Sequence, residues 1–286
     1  MSATTLAFES DDVMIAADRR GDPADPPVFF LHGGGQTRHS WGAAAAAVAE
    51  HGWCTYTLDS RGHGESDWSP DARYALRDFA RDLLHVADQV GADPVVVGAS
   101  LGGLTSLLAM GRERLGLGRG LVLVDIVPEM EQTGTDRIKD FMAAHVETGF
   151  GSLGEAAEAV AAYNPRPDRS VDPESLRKNL RERDGRWYWH WDPRFMQQMA
   201  RSNPDSELFE AGLLTDCARA IAVPKLLIRG RMSDVVTEEA ARRFVDAVPG
   251  TGYVDVADAA HMVAGDKNDV FRSAVIEFVN GLRGST

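Results

Sequence analysis

The run from Pro94 to Gly103 constrains this chain more than any other stretch. Val95, Val96 and Val97 are three β-branched residues in succession, the pattern of a short strand buried on both faces. Gly98-Ala99-Ser100-Leu101-Gly102 follows and matches G-x-S-x-G, and Leu104 to Met110 is apolar and compatible with a helix. A serine at the turn of a strand–turn–helix unit sits where two backbones pass close together. Only small residues fit beside it, and Gly98, Ala99, Gly102 and Gly103 are all small. The turn lifts the Ser100 hydroxyl above the sheet edge and aims the Leu101 N–H, at the helix start, toward the same point. That is the local geometry a nucleophilic serine needs.

Strands and helices alternate around this unit. Leu6 to Glu9 and Val13 to Ala17 flank Asp11-Asp12 as a hairpin, and Val28 to Leu31 is a buried strand that runs into His32-Gly33-Gly34-Gly35. Trp41 to Glu50 is an alanine-rich helix, Trp53 to Leu58 a strand, and Leu76 to Val90 carries apolar residues at helical spacing. Leu121 to Val124 is a strand ending at Asp125. The alternation predicts a parallel sheet covered by helices on both faces. It then stops. Met130 to about Leu214 holds no convincing strand; Arg137 to Glu147, Leu153 to Tyr163, Pro173 to Arg183 and Pro193 to Ala200 read as helices, around a densely aromatic run from Trp187 to Asp192. Strand, helix, strand, helix then resume at Lys225 to Arg229, Glu238 to Ala247, Tyr253 to Val256 and Val270 to Leu282. The expected organisation is a core of residues 1–128 and 216–286 with a helical cap of residues 129–215. A cap there lies over the C-terminal edge of the sheet, where ligands bind in open α/β folds.

A nucleophilic serine needs a base, and the base needs a group that orients it. His261 lies in a loop of small residues between the last strand and the last helix, within reach of the serine turn. Two carboxylates are candidates for the third role. Asp234, in Gly230-Arg231-Met232-Ser233-Asp234-Val235-Val236, is favoured because its loop closes on two valines that would keep the carboxylate dry. Asp125, at the end of the preceding strand, is the other. A tetrahedral oxyanion needs preorganised donors. The glycine triplet lets backbone N–H groups approach a ligand, with Gly34 as one donor, Leu101 as the second and Gly35 as a further candidate.

Composition narrows the partners. A net charge of −13 argues against nucleic acid and anionic membranes and leaves a small-molecule substrate. Two cysteines are too few for a disulfide framework, and neither a secretory signal nor a membrane span is visible, so a cytoplasmic location is expected. No metal-ligand spacing occurs among the His, Cys and acidic residues, and no cofactor is expected. Oligomeric state is left open, a homodimer included.

These residues resemble the α/β-hydrolase superfamily. The likeness rests on His32-Gly33-Gly34-Gly35, Asp59-x-Arg61-Gly62-His63-Gly64-x-Ser66, Gly98-x-Ser100-x-Gly102, Gly230-x-x-x-Asp234 and His261, in family order, and spans about Val28 to Leu282. It implies a mostly parallel eight-stranded sheet flanked by helices, with the cap inserted after strand 6. Ser100 in place of an aspartate nucleophile is similar to the esterase, cofactor-free haloperoxidase and C–C hydrolase branch. The resemblance implies a structural role for the Asp59 to Ser66 run, so His63 is not assigned to catalysis. The expected reaction is cleavage of a carboxylic ester or lactone of a fairly bulky apolar molecule through an acyl-enzyme. Hydrolysis of a C–C bond in a vinylogous diketone, with an inward arginine such as Arg186 or Arg194, and a slow-turnover ligand receptor are the alternatives. Phe141, Met142, Trp187, Trp189, Trp191 and Met262 are the candidate walls of the substrate pocket.

Overall fold

The computed structural model describes residues 2–163, 171–201, 211–257 and 269–284. An eight-stranded sheet organises it. β1 (Thr4–Ser10), β2 (Val13–Arg20), β3 (Pro27–Leu31), β4 (Cys54–Leu58), β5 (Val95–Ala99), β6 (Gly120–Val124), β9 (Lys225–Gly230) and β10 (Thr251–Val256) lie in the spatial order β1-β2-β4-β3-β5-β6-β9-β10. The β1–β2 and β2–β4 pairs are antiparallel and the others parallel.

The all-apolar strands are explained by what lies on each face. Val96 points into a core shared with α2 (Leu76–Val90), α3 (Leu101–Leu108) and α8 (Glu238–Ala247). Val95 and Val97 point the other way, into a core closed by α1 (Gly42–Ala49) and α9 (Asp269–Gly281). A strand buried on both faces has no solvent side to mark with polar residues. The helices need only one apolar stripe: Leu76, Ala80, Leu83 and Ala87 of α2 are buried while Arg77, Arg81 and Asp88 are exposed.

The segment that follows β6, expected to be a helical cap and called the cap below, is not all helical. It contains α4 (Gln132–Ala143), α5 (Leu153–Tyr163), a 3₁₀ turn at Pro173–Asn179, β7 (Leu180–Arg183), β8 (Arg186–Trp189) and α6 (Pro193–Arg201). The helix expected over Pro173 to Arg183 is therefore a 3₁₀ turn running into a two-stranded hairpin. Arg183 pairs with Arg186 across Asp184 and Gly185, whose φ values are 51° and 74°. Positive φ at both central residues makes a type I′ turn, whose twist matches that of the strands it joins. The hairpin encloses a core of its own with Phe150, Leu153, Leu176, Leu180, Trp189 and Phe195. α7 (Ala211–Ala220) returns the chain to the sheet and packs on α3.

Candidate active site

Ser100 stands between β5 and α3 with φ 47° and ψ −115°, a conformation costly for any residue with a β-carbon. The surrounding backbone leaves no alternative. A β-carbon on Gly98 would meet the Gly102 carbonyl oxygen at 2.5 Å, and one on Gly102 would meet the Leu31 carbonyl oxygen at 2.5 Å. Strand and helix can cross this closely only through glycine. The serine is partly exposed, so its hydroxyl is reachable. Leu101 opens α3, and its N–H belongs to the helix end whose amides have no carbonyl one turn back.

The glycine triplet folds into a tight turn beside the serine. Gln36 N donates to Gly33 O at 3.1 Å, and Gly35 at the third position has φ 73°, the geometry of a type II turn that glycine meets without strain. Gly33 lies so near the nucleophile that a β-carbon on it would come within 3.2 Å of Ser100 Cβ. Its own N–H donates to Gln36 Oε1 at 3.2 Å. Of the triplet, then, Gly33 has its amide occupied, and no hydrogen bond to a described residue engages the Gly34 amide. Met142, from α4 in the cap, covers the turn: β-carbons on Gly34 and Gly35 would meet its Sδ at 3.6 and 3.2 Å.

Three buried imidazoles support this turn from below. His32 Nδ1–H donates to Gly33 O at 2.7 Å and its Nε2 accepts from Ser60 N at 3.0 Å. His63 packs between His32 and His190, with ring centroids 5.3 and 5.8 Å away, and against Phe195 at 4.9 Å. His190, just past β8, accepts from Gly64 N at 2.7 Å through Nδ1. Burial disfavours the charged form of all three: it holds His32 and His190 below the usual imidazole range and pushes His63 down to about 3. Neutral, His32 and His190 each keep one donor and one acceptor nitrogen, which matches these bonds, while His63 Nδ1–H donates to Arg61 O at 3.0 Å and its buried Nε2 meets no partner among the described residues. His190 and Phe195 had no place in the sequence reading of the site, because nothing local ties the aromatic run of the cap to a glycine turn so far upstream.

The two acidic candidates differ in surroundings. Asp125 follows β6 as Ser100 follows β5, from the register pair Ala99–Val124, and it also has positive φ, 49°. It is fully buried; Gly230 N donates to its Oδ1 at 2.9 Å and Ser233 Oγ to its Oδ2 at 2.6 Å. Ser233 Oγ in turn accepts from Val235 N and Val236 N at 3.2 and 3.1 Å, which fixes the hydroxyl for donation to Asp125. Asp234 does not have the dry setting expected of it. Val235 and Val236 are buried, but the Asp234 side chain is 41% exposed and pairs with Arg137 of α4 at 2.8 Å. The residues of the loop point in opposite directions, so the valines' burial does not extend to their neighbour.

Trp189 and Trp191 stack at 4.8 Å and are buried in the cap core, where Trp189 Nε1 donates to Ala144 O at 3.0 Å. Trp187 is half-buried under the Arg177 guanidinium, and Phe141 stacks on Tyr163 at 4.1 Å. Arg186 is tied to Thr148 O and Gly149 O, and Arg194 to Asp192, Ser69 O and Pro70 O. His261 and Met262 lie outside the described residues.

Comparison with known proteins bears on the family and the fold. The chain is 32% identical over 283 residues to the esterase Rv0045c of Mycobacterium tuberculosis, covering 94% of this chain and 86% of that one. A solved structure of that esterase superposes with a TM-score of 0.72 over 99% of this chain and 92% of the other, at 28% identity. A 3-hydroxybutyrate-oligomer hydrolase of Cupriavidus necator is 26% identical over 84% of each chain. The structure of an E-2-(acetamidomethylene)succinate hydrolase, 22% identical, shares the fold with a TM-score of 0.80 over 98% of this chain and 100% of that one. A sequence model of the alpha/beta hydrolase fold matches residues 26–267, and with the elbow, the turn and the sheet order in place, the chain belongs to the α/β-hydrolase family.

Proposed function

We propose that the chain is a serine hydrolase of the ester type that cleaves an apolar carboxylic ester through an acyl-enzyme on Ser100. One observation carries the reading: a strained, partly exposed serine stands beside a glycine turn so close that a β-carbon on Gly33 would come within 3.2 Å of Ser100 Cβ, with the Gly34 and Leu101 amides unengaged by described residues. Relatives named as an esterase and an oligomer hydrolase support the bond type.

In this mechanism Ser100 Oγ attacks the ester carbonyl carbon while His261, assigned from its place in the sequence, takes the hydroxyl proton. The carbonyl oxygen becomes an oxyanion held by the Gly34 and Leu101 N–H groups. Collapse breaks the bond to the alcohol, which leaves with the proton from His261. Water, deprotonated by His261, then attacks the acyl-serine and releases the acid. For the group that orients His261, the buried, doubly hydrogen-bonded Asp125 fits better than the exposed Asp234, since a carboxylate beside an imidazolium acts most strongly where water is excluded. Met142 and Phe195 beside the turn favour an apolar acyl group. The C–C bond reading needs an inward arginine, and both arginines named for it are tied to cap or loop carbonyls.

Ser100→Ala tests the assignment directly. The variant is expected to lose both fluorophosphonate labelling and hydrolysis of p-nitrophenyl esters with an unchanged melting temperature, because alanine suits a turn already lined by small residues. Turnover that survives the substitution would refute the nucleophile.

A further inference from the structure

The oxyanion turn is completed by the cap. Its first carbonyl, Gly33 O, is held from within the core by Gln36 N and His32. Its other end is held from outside: His190 Nε2–H donates to Gly35 O at 3.4 Å. The direction of that bond is fixed by the opposite nitrogen, because Nδ1 accepts the Gly64 amide and so cannot carry the proton. The ring is fully buried, and the cap clamps the Gly62–Gly64 segment around it: Arg181 donates to Gly64 O, and Asp192 N donates to Gly62 O at 2.9 Å. Tyr74 OH adds a bond to Asp192 at 2.5 Å.

We propose that His190 is a positioning residue for the oxyanion turn, holding the Gly35 peptide so that the Gly34 N–H points at the developing oxyanion, and that the docked cap is therefore part of the catalytic apparatus rather than a roof alone. The inference rests on the serine-hydrolase reading above. A positioning role for an oxyanion donor affects the reaction of a carbonyl oxygen more than that of a thiocarbonyl sulfur, which is a poor hydrogen-bond acceptor. The ratio of kcat/KM for an aryl ester and its thionoester thus reads the state of the turn, whereas general loss of folded protein lowers both rates equally.

His190→Asn places an acceptor near Nδ1 and keeps the Gly64 bond but removes the Nε2 donor; His190→Gln places a donor near Nε2. The expected result is that His190→Asn lowers the ester-to-thionoester ratio by about 5-fold or more, with kcat falling and KM little changed, a fraction of the roughly 100-fold or larger cost of deleting an oxyanion donor outright. His190→Gln is expected to restore most of the ratio. Equal ratios in wild type and a folded His190→Asn variant would overturn the inference and leave the hydrolase reading standing. A wild type that cleaves neither ester would overturn both. If neither His190 variant folds, Arg181→Met loosens the same clamp from the half-buried side, and it must lower the ratio; an unchanged ratio there overturns the inference as well.

Discussion

Asp125 and Asp234 show how residue type and environment separate. Both are aspartates at the C-terminal edge of the sheet, in loops beyond neighbouring strands. Asp125 accepts a backbone amide and a serine hydroxyl out of water, while Asp234 meets Arg137 in solvent. An exposed ion pair contributes little, about 0–1 kcal/mol. On the proposed mechanism Asp125→Asn is expected to lower kcat by about 10³- to 10⁴-fold with little change in KM, since His261 would lose the partner that fixes its tautomer. Asp234→Asn should stay within about threefold of wild type, consistent with the small worth of its ion pair. Steady-state kinetics on one aryl ester, with both variants matched for melting temperature, decides the ranking, and the reverse order would return the role to Asp234. The serine, the glycine triplet and the strand before them were legible because each is a local pattern. The burial of Asp125 was not, because it depends on Ser233 and Gly230, residues more than 100 positions downstream that β9 brings beside β6.

Among the elements, α4 and the cap hairpin matter most. α4 runs from the Asp234 loop, where Glu131 N donates to Val235 O at 2.9 Å, to the glycine turn, where Met142 lies on Gly34 and Gly35. Shortening Met142 opens space beside the acyl position. Met142→Ala is expected to raise kcat/KM for a hexanoate relative to an acetate ester by about 10-fold, the low end of the roughly 10- to 200-fold that one methylene can be worth in an apolar pocket. It should also cost about 2–5 kcal/mol of stability, since Met142 is 2% exposed. An unchanged acyl preference at a temperature where both proteins are folded would remove Met142 from the pocket wall. The hairpin itself was signalled by Asp184-Gly185, a strong two-residue turn pair. The charged Arg181-Glu182-Arg183 run shows no alternation, because burial in this ribbon runs along its length: Leu180 and Trp189 at its base are buried while Arg183 and Arg186 at its turn are exposed.

At the scale of the whole molecule, the buried histidines set an acid limit. His32, His63 and His190 are held neutral in the folded protein and return to an ordinary value near 6.5 when it unfolds. Above that pH neither state takes up the proton and their contribution to stability is complete. As pH falls below it, the unfolded chain binds protons that the folded chain refuses, and for His63 this continues down to about 3. Each such histidine removes about 1.4 kcal/mol per pH unit in that window. Urea unfolding midpoints should therefore drop steeply from pH 6.5 to 4.5. His63→Asn retains a donor for the Arg61 carbonyl but no titrating ring, and it should flatten that slope by about one proton. An identical slope would mean that His63 binds protons alike in both states. No helix among the described residues is long and apolar enough to cross a membrane.

The hydrogen bonds that fasten the hairpin to the core also bear on modularity. Cap insertions invite exchange as cassettes, cut after β6 and rejoined before α7. Here such a chimera would strip Gly64 of the acceptor for its amide and Gly35 of its outer donor, leaving Ser100 beside a turn held only from the core side, by Gln36 N and His32. On the role proposed for His190, a transplanted cap must bring its own equivalent, aimed at the same two backbone groups, and a recombinant without it is expected to bind substrates that it turns over poorly.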